Sequence, residues 1–287
     1  MKSIAFTIVL AFTVIIMNYG QQPDWKGVEK IFGQKLLETD GYYKLTFPRT
    51  DLNVMIDNQK VDPGLAFTSW AAFLPIKDKA MVMGDMVLLE SELGPVLKSI
   101  EKNNFSVTAI HNHLIKESPK VMYLHYSAEG DPADLAQKLK DILSKTDTPL
   151  SNEVSSQNLN LPDWSSVQSI LGKGNAGELL KYSFNRNETI KHDNMSLPKT
   201  YGINTAFGFQ KVGDKAFTTG DFVLIANEVN KVIKILTQNN ITVTALHNHM
   251  LNEEPRLFYM HFWGYDKPEY LAAALKDALE ETNSTVK

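Results

Sequence analysis

The 287-residue sequence contains no cysteine. Without cysteine the chain forms no disulfides, offers no thiolate to a metal or a substrate, and carries no lipid on an N-terminal cysteine. The net charge is only −4, whereas a nucleic-acid-binding protein needs a clustered basic face. A Ser-His-Asp order, a Gly-rich phosphate loop and a dinucleotide fingerprint are also missing. We therefore expect no nucleic-acid partner and none of the chemistries that these motifs support.

Long apolar runs are scarce, and the longest spans residues 4–17 at the N-terminus. Lys2 precedes this stretch and Gly20 follows it, which is typical of a secretory signal peptide. The stretch is shorter than the ~20 residues that a membrane-spanning helix needs. We expect a signal peptide over residues 1–20, a periplasmic or secreted protein, and no stable membrane anchor after cleavage.

The rest of the sequence repeats itself. Residues 84–146 align with residues 220–282 without a gap at a constant offset of 136, and 27 of the 63 positions are identical. Tandem copies often pack around an internal two-fold axis, so we expect an intramolecular pseudo-dimer. The predicted units are a first repeat domain over 22–148, a linker over 149–161 and a second repeat domain over 162–284.

Each copy mixes short β-type runs with amphipathic helices. In the first copy, residues 25–32 and 131–144 have apolar residues at helical spacing, and so do residues 92–102. Strand-like runs occur at 42–47, 52–56, 70–74, 80–89, 106–114 and 121–126. This pattern predicts an α+β fold in which each copy forms a mostly antiparallel sheet with helices packed on one side.

Six of the seven histidines occupy matching positions in the two copies. The first two of each set are two residues apart, so on a strand they point to the same face. The third lies on the next strand, and a hairpin would bring it alongside, with Glu117 or Glu253 in the intervening turn. The histidines are His111, His113 and His125 in the first copy and His247, His249 and His261 in the second.

Three imidazoles and a carboxylate form a recurring ligand set for Zn, Mn, Fe or Cu. We therefore predict a His/Glu metal site in each copy, with the six histidines as ligands. Glu253 and Glu117 would be fourth ligands, or general bases on a metal-bound water whose pKa the metal lowers. Asp85 and Asp221 each follow a glycine within a strand, where they either orient a histidine or mark a bulge.

Two functions follow from this cluster, and the sequence supports both. The first is a metal-dependent hydrolase or oxidoreductase acting on a small molecule or an envelope ligand. The alternative is a non-catalytic periplasmic protein that binds a ligand or a metal, with the histidines forming a structural hydrogen-bonded network. Whether the protein is an enzyme stays open at this point.

The second copy also resembles a known family. The segments that carry the resemblance are Gly220-Asp221, the run from Val243 to Met250, Glu253, Pro255 to Phe258, and His261-Phe262-Trp263. They look like the signature of the bacterial LppY/LpqO family, a domain of unknown function that often occurs in two copies. The resemblance implies an exported protein and brings no established reaction. The first copy departs from it at Ile110, Leu114, Lys120-Val121-Met122 and Tyr126-Ser127.

Overall fold

The computed structural model describes residues 23–151 and 161–285. The predicted signal peptide lies outside the described residues, as does most of the predicted linker. In the described part of the chain, no helix combines the length and the apolar character needed to cross a membrane.

The two copies contain similar but not identical successions of strands and helices. The first copy contains α1 (Trp25–Phe32), β1 (Leu37–Thr39), β2 (Tyr42–Pro48), β3 (Met55–Ile56), β4 (Gln59–Lys60), α2 (Pro63–Ala66), β5 (Thr68–Ile76), β6 (Lys79–Leu89), α3 (Glu90–Lys102), β7 (Ser106–His111), β8 (Val121–Gly130) and α4 (Pro132–Leu143). The second contains α5 (Ser165–Leu171), β9 (Asn175–Ala176), β10 (Leu179–Phe184), β11 (Lys191–His192), β12 (Met195–Ser196), β13 (Thr205–Val212), β14 (Lys215–Leu224), α6 (Ala226–Gln238), β15 (Thr242–His247), β16 (Glu253–Glu254), β17 (Phe258–Asp266) and α7 (Pro268–Glu280).

Each copy forms one six-stranded sheet. The strand order is β1-β2-β5-β6-β8-β7 in the first copy and β9-β10-β13-β14-β17-β15 in the second, so equivalent strands hold equivalent places. Neighbouring strands run antiparallel in both sheets. The predicted α+β class, with an antiparallel sheet and helices in each of two similar halves, is confirmed.

Two strands are shorter than the sequence pattern predicts. The run at 52–56 forms a strand only over Met55–Ile56, and the run at 106–114 ends at His111. β7 ends at His111, and directly after it the side chain of Asn112 binds the backbone. Asn112 Nδ2 donates to the Leu114 carbonyl at 3.0 Å, a local contact that is not part of the sheet. His113 therefore lies just beyond the strand rather than within it.

The helices of each copy cover one face of its own sheet. Alternate residues of the strands point to that face and pack against the apolar stripes of the helices, as strand and helix periodicity require. In the first copy Phe73 and Leu124 meet Leu139, and in the second Phe209 and Met260 belong to the same core as Leu275. Each copy therefore has a hydrophobic core of its own.

The opposite faces of the two sheets meet each other. Two further hydrophobic clusters contain residues of both copies: Met83 belongs to one together with Tyr201 and Tyr259, and Tyr123 belongs to the other together with Phe217. Because both faces of each sheet are covered, polar side chains at the boundary between the copies are withdrawn from water.

Hydrogen bonds across this boundary come in equivalent pairs. Thr108 Oγ1 donates to the His249 carbonyl, and its counterpart Thr244 donates to the His113 carbonyl. Asn112 Nδ2 donates to the Thr244 carbonyl at 3.1 Å, and Asn248 Nδ2 donates to the Thr108 carbonyl at 2.9 Å. The same residues in each copy thus contact the other copy, as in an isologous interface.

A buried arginine joins strand and helix in each copy. Arg186 is 2% exposed, and its Nη1 donates to the Val223 carbonyl at 2.6 Å and to Glu228 at 2.8 Å. Arg49 makes the equivalent contacts with Val87 and Glu92. The carboxylate of Glu228 also accepts the backbone N–H of Ile225 at the start of α6, so one charge serves both the ion pair and the helix end.

Candidate functional site: one histidine cluster between the copies

The six repeated histidines lie in one cluster at the boundary between the copies. Each ring of the first copy stacks on or leans against a ring of the second. Ring centroids are 3.6 Å apart for His111 and His247, 3.6 Å for His113 and His261, and 3.9 Å for His125 and His249. The sequence predicted a site in each copy; the structure brings both sets of histidines into one place.

Strand register explains why these side chains converge. In the first copy His111 is paired with Tyr123, and His125 is paired with Ala109 on one side and Asp85 on the other. Directly paired residues share a face of the sheet. The second copy repeats this arrangement, with His261 between Ala245 and Asp221. The hairpin that the sequence predicted therefore places histidine and aspartate on the face that meets the other copy.

Backbone carbonyls orient four of the rings. His125 Nδ1 lies 3.2 Å from the Gly84 oxygen, and His261 Nδ1 lies 3.0 Å from the Gly220 oxygen. His249 Nδ1 lies 3.2 Å from the Gly202 oxygen, and His247 Nδ1 lies 3.1 Å from that of Asn248. A carbonyl only accepts, so Nδ1 carries the proton in the neutral ring and Nε2 is left with its lone pair.

The two glycines that supply carbonyls to His125 and His261 have no room for a side chain. A Cβ at Gly220 would lie 2.2 Å from the Ala206 oxygen, and one at Gly84 would lie 2.2 Å from the Trp70 oxygen. These contacts are with backbone, which does not rotate away. The repeated Gly-Asp pair therefore combines a close approach of strands with the carboxylate next to the histidines.

Several side-chain nitrogens and oxygens of the cluster are buried and lack hydrogen-bond partners. This holds for Nε2 of His111, His113, His125, His247, His249 and His261, for Nδ1 of His111, and for Oδ1 of Asp85 and Asp221. Buried polar atoms in folded proteins are nearly always hydrogen-bonded, so a cluster of this kind indicates a ligand for these atoms.

Burial dominates the electrostatics of the cluster. It lowers the pKa of His113, His125 and His249 well below the ordinary value of 6.5, and neighbouring imidazoles add to the effect. For His261, burial lowers the pKa to about 3 although Asp221 opposes the shift. Burial, followed by the charge of Asp221, raises the pKa of Asp85 well above its usual range. Neutral imidazoles are the form that binds metals.

Three overlapping groups in the described residues have ligand atoms within 4.8 Å of one another. Two of them take histidines from both copies, and the third joins Asp221 to two histidines of the second copy. The groups are His111-His125-His247, His111-His113-His261 and Asp221-His247-His261. Because they share members, they describe one centre with several coordination choices.

Of the two glutamates that the sequence proposed, Glu117 lies between β7 and β8 and Glu253 lies in the short strand β16, and neither belongs to these groups. Glu117 Oε1 accepts the backbone N–H of Val121 at 3.4 Å, and Glu253 Oε1 accepts that of Leu257 at 3.1 Å and Nη1 of Arg256 at 3.0 Å. The carboxylate within reach of the imidazoles is instead an aspartate: Asp221 Oδ2 lies 3.4 Å from His249 Nε2. A catalytic role for either glutamate stays a prediction.

Some residues that shape the site are not among the ligands and bases that the sequence predicts. Tyr123 and Tyr259 stack on His113 and His249, with centroids 3.3 and 3.4 Å apart. Thr108 and Thr244 donate hydrogen bonds to the backbone carbonyls of His249 and His113. The tyrosine and the threonine are each identical in the two copies, and this identity at polar positions is the feature of the sequence that could have indicated their role in the site. The carbonyl partners of Nδ1 leave no such signal because any residue supplies a carbonyl.

Fold and cluster together define a duplicated α+β protein with a histidine-rich site between its copies. The family described as Domain of Unknown Function (DUF1259) matches the chain twice, over residues 26–145 and 165–281, and the chain belongs to this family. No curated protein matches it.

Solved structures match only weakly. One is described as a trimeric bacterial microcompartment shell protein, PduB: it is 13% identical, the match covers 85% of this chain and 88% of that one, and the TM-score is 0.22. Another is EtuB from Clostridium kluyveri, at 11% identity, 85% and 90% coverage and a TM-score of 0.20. Likeness at this level carries no argument about fold or function.

Proposed function

We propose that the protein binds a transition-metal ion at a single centre shared by its two copies, and that it is a metal-dependent enzyme acting on a small molecule. The observation that carries the metal site is the set of six buried Nε2 atoms without partners. Four of these rings have Nδ1 next to a backbone carbonyl. Metal-ligating histidines use their other nitrogen in this way, which fixes the ring and presents the lone pair to the ion.

The same observation argues against a purely structural network. A structural network is stabilising when its members satisfy one another, and a partly satisfied one costs more than an apolar core of the same shape. The shortest distances between cluster histidines and aspartates in the described residues are 3.4 and 3.6 Å. These distances are too long for strong hydrogen bonds. A metal ion would satisfy several of the lone pairs together.

The ligand chemistry narrows the choice of ion. Imidazole nitrogens with one carboxylate suit Zn, Cu and Fe better than they suit Mg or Ca, which prefer oxygen. An ion held by three histidines keeps an open position, where it supplies a Lewis acid and an activated water. His113, His261 and Asp221 line a cavity, so a small molecule could reach this position. We propose a metal-dependent hydrolase or oxidoreductase, because the same ligand set binds redox-inactive Zn and redox-active Fe or Cu.

The setting of this activity is part of the proposal. The predicted signal peptide and the likeness of the second copy to the LppY/LpqO family support a periplasmic or secreted protein. The paired contacts between the copies support their action as one unit, a pseudo-dimer within one chain. Binding of a metal or ligand without catalysis is the alternative, and the absence of turnover by a metal-loaded protein would favour it.

Elemental analysis of the untagged protein after reconstitution with Zn, Mn, Fe or Cu tests the shared centre. His111→Ala and His247→Ala should each reduce the metal content of the whole chain to background, because each removes a ligand from the same centre. His192→Ala is the matched control, since His192 is the one histidine outside the cluster, and it should bind metal like the parent.

Two results would overturn the proposal. If the parent protein retains no metal, the site does not exist. If each single variant keeps half of the parent's metal, the copies bind metal separately and the shared centre is wrong.

A further inference from the structure

The two ends of the histidine cluster differ although the copies are related. The side chains of His249 and Asp85 are 7% and 5% exposed, whereas those of their counterparts His113 and Asp221 are 16% and 17% exposed, although His249 lies 3.4 Å from Asp221 and His113 lies 3.6 Å from Asp85. We call the side of the cluster with His113 and Asp221, which line a cavity, the open end, and the side with His249 and Asp85 the closed end.

Asp85 has larger strand neighbours than Asp221. Beside Asp85 stands Trp70, and beside Asp221, at the equivalent position, stands Ala206. Met83 at the closed end corresponds to Thr219 at the open end. Gly202 packs so closely there that a Cβ on it would lie 3.2 Å from the Trp70 ring.

A tyrosine completes the closure. Tyr201 is fully buried, and its hydroxyl lies 3.2 Å from the Ala72 oxygen and 3.1 Å from the Met81 oxygen. Leu65 occupies the equivalent position at the open end, where it is only partly buried. The side chains around Asp85 are therefore larger than their counterparts around Asp221.

The open end forms a cavity of about 240 Å³. Its floor is His113, His261 and Asp221, and its walls include Trp70 and Ala206. Pockets for drug-sized ligands run from roughly 300 to 1,000 Å³, so this one fits a smaller molecule. The group His111-His113-His261 would hold an ion at its floor, whereas the repeat-equivalent set His247-His249-His125 forms no such group in the described residues.

Two equivalent lysines stand next to the cavity. Lys44 Nζ lies 5.0 Å from the centroid of the Trp70 ring, which forms a cavity wall. Gly64 is another lining residue, and a Cβ added to it would lie 3.9 Å from Lys181 Nζ. The lysines pair with Ala72 and Gly208, which are equivalent positions of the two sheets.

The lysine charges are not neutralised by direct contacts. In the described part of the chain neither ammonium group has an ion pair within 4.0 Å. Asp62 is the acidic group that acts on Lys181, and its carboxylate accepts the Gly64 N–H at 2.7 Å. Burial lowers the pKa of Lys44, and Lys181 adds to this effect by repulsion. Two cations that repel each other beside a cavity favour an anion between them.

We infer that this cavity is the substrate pocket and that it takes a small oxyanion, a carboxylate or a phosphate, whose charge faces Lys44 and Lys181 while its apolar part lies against Trp70. This inference rests on the proposed function for the identity of the floor as a metal centre. Asp221 carries negative charge at the floor, and a divalent ion there would offset it. Anions should therefore bind the metal-loaded protein more tightly than the metal-free protein.

Calorimetric titration of the zinc-loaded and the metal-free full chain tests the pocket. The probes are benzoate, inorganic phosphate and the uncharged benzyl alcohol. The Lys44→Met/Lys181→Met variant should bind benzoate or phosphate more weakly by roughly tenfold or more, since a hydrogen bond to a charged group contributes about a factor of ten. Lys215→Met is the matched control, because Lys215 lies 5.1 Å from the centroid of the Tyr265 ring, which does not line the cavity, whereas Lys44 and Lys181 lie beside the lining residues Trp70 and Gly64.

The outcomes separate this inference from the proposed function. Anion binding that is equal in the double variant and the parent, or that is no stronger than benzyl alcohol binding, overturns the pocket. A parent that binds anions through the lysines but retains no zinc upholds the pocket and refutes the metal centre. A parent that retains zinc but binds neither benzoate nor phosphate upholds the centre and refutes the pocket. The affinities for benzoate and for phosphate, measured side by side, show which of the two oxyanions the cavity binds.

Discussion

The imidazole rings of His111 and His247 stack at 3.6 Å although they occupy equivalent positions in two different copies. Each copy supplies half of the cluster, so duplication is a condition for the site rather than a doubling of it. A symmetric cluster also allows the copies to diverge in the residues around it. The closed and the open end show this divergence.

Ala206→Trp should fill the cavity at the open end of the cluster. The larger side chain would fill the cavity beside Asp221. We expect metal content to stay at the parent level, because Ala206 contributes no ligand atom, and anion binding and turnover to be lost. Ala206→Ser keeps the cavity and is the control. An Ala206→Trp protein that folds, by circular dichroism, and still binds benzoate like the parent would contradict the placement of the anion in this cavity.

Much of this arrangement follows from the sequence. The repeat offset, the strand that carries two histidines and the next strand that carries the third predict the hairpin and its shared face. The sequence does not predict that the two faces meet, because an apolar strand face packs equally well against a helix or against another sheet. The sequence also does not predict that an aspartate, rather than a glutamate, lies near the imidazoles. Asp85 and Asp221 belong to β6 and β14, and only the order of strands in the sheets shows that these strands neighbour His125 and His261.

The buried Arg186–Glu228 pair should matter more for stability than any surface pair. Arg186→Met leaves the Glu228 carboxylate buried without its partner, at 5% exposure. Breaking a buried ion pair from one side costs about 3–5 kcal/mol. Urea unfolding of the metal-free protein measures this loss.

The control for this variant is Lys231→Met. Lys231 and Glu281 form a surface ion pair at 3.1 Å, with side chains 59% and 41% exposed. Exposed pairs contribute about 0–1 kcal/mol. If Arg186→Met and Lys231→Met reduce the free energy of unfolding equally, burial of the Arg186–Glu228 pair does not increase its contribution to stability.

Asn112→Ala should loosen the contact between the copies and weaken metal binding with it. Asn112 Nδ2 donates to Leu114 in its own copy and to Thr244 in the other. Its loss leaves two carbonyls without this donor, at a cost of about 1–3 kcal/mol. It also releases the backbone next to His113. We expect a lower free energy of unfolding together with a higher dissociation constant for zinc.

Asn239→Ala separates the two effects. Asn239 Nδ2 caps the end of α6 by donating to the Ile235 carbonyl at 2.9 Å, away from the boundary between the copies. This variant should lose stability and keep its zinc affinity. If Asn112→Ala has zinc affinity equal to that of Asn239→Ala, the cross-copy hydrogen bond does not position the cluster.

The metal-free protein should become unstable on mild acidification. Burial keeps the folded-state pKa values of His113, His125 and His249 well below 6.5 and that of His261 at about 3. As the pH falls below the unfolded value of about 6.5, the unfolded chain takes up protons that the folded chain does not. The free energy of unfolding should then fall by about 1.4 kcal/mol per pH unit for each such histidine.

Asp85 acts in the opposite direction, because its folded-state pKa is raised by burial and by Asp221. It gains a proton on folding between its folded and unfolded pKa values, which offsets one histidine. Urea unfolding of the metal-free protein between pH 7.5 and pH 5 measures the net slope. His113→Gln/His249→Gln should reduce that slope by roughly 2.7 kcal/mol per pH unit, two protons' worth. A slope that is flat in the parent, or unchanged in this variant, would show that these rings take up protons without unfolding and are not held neutral by burial.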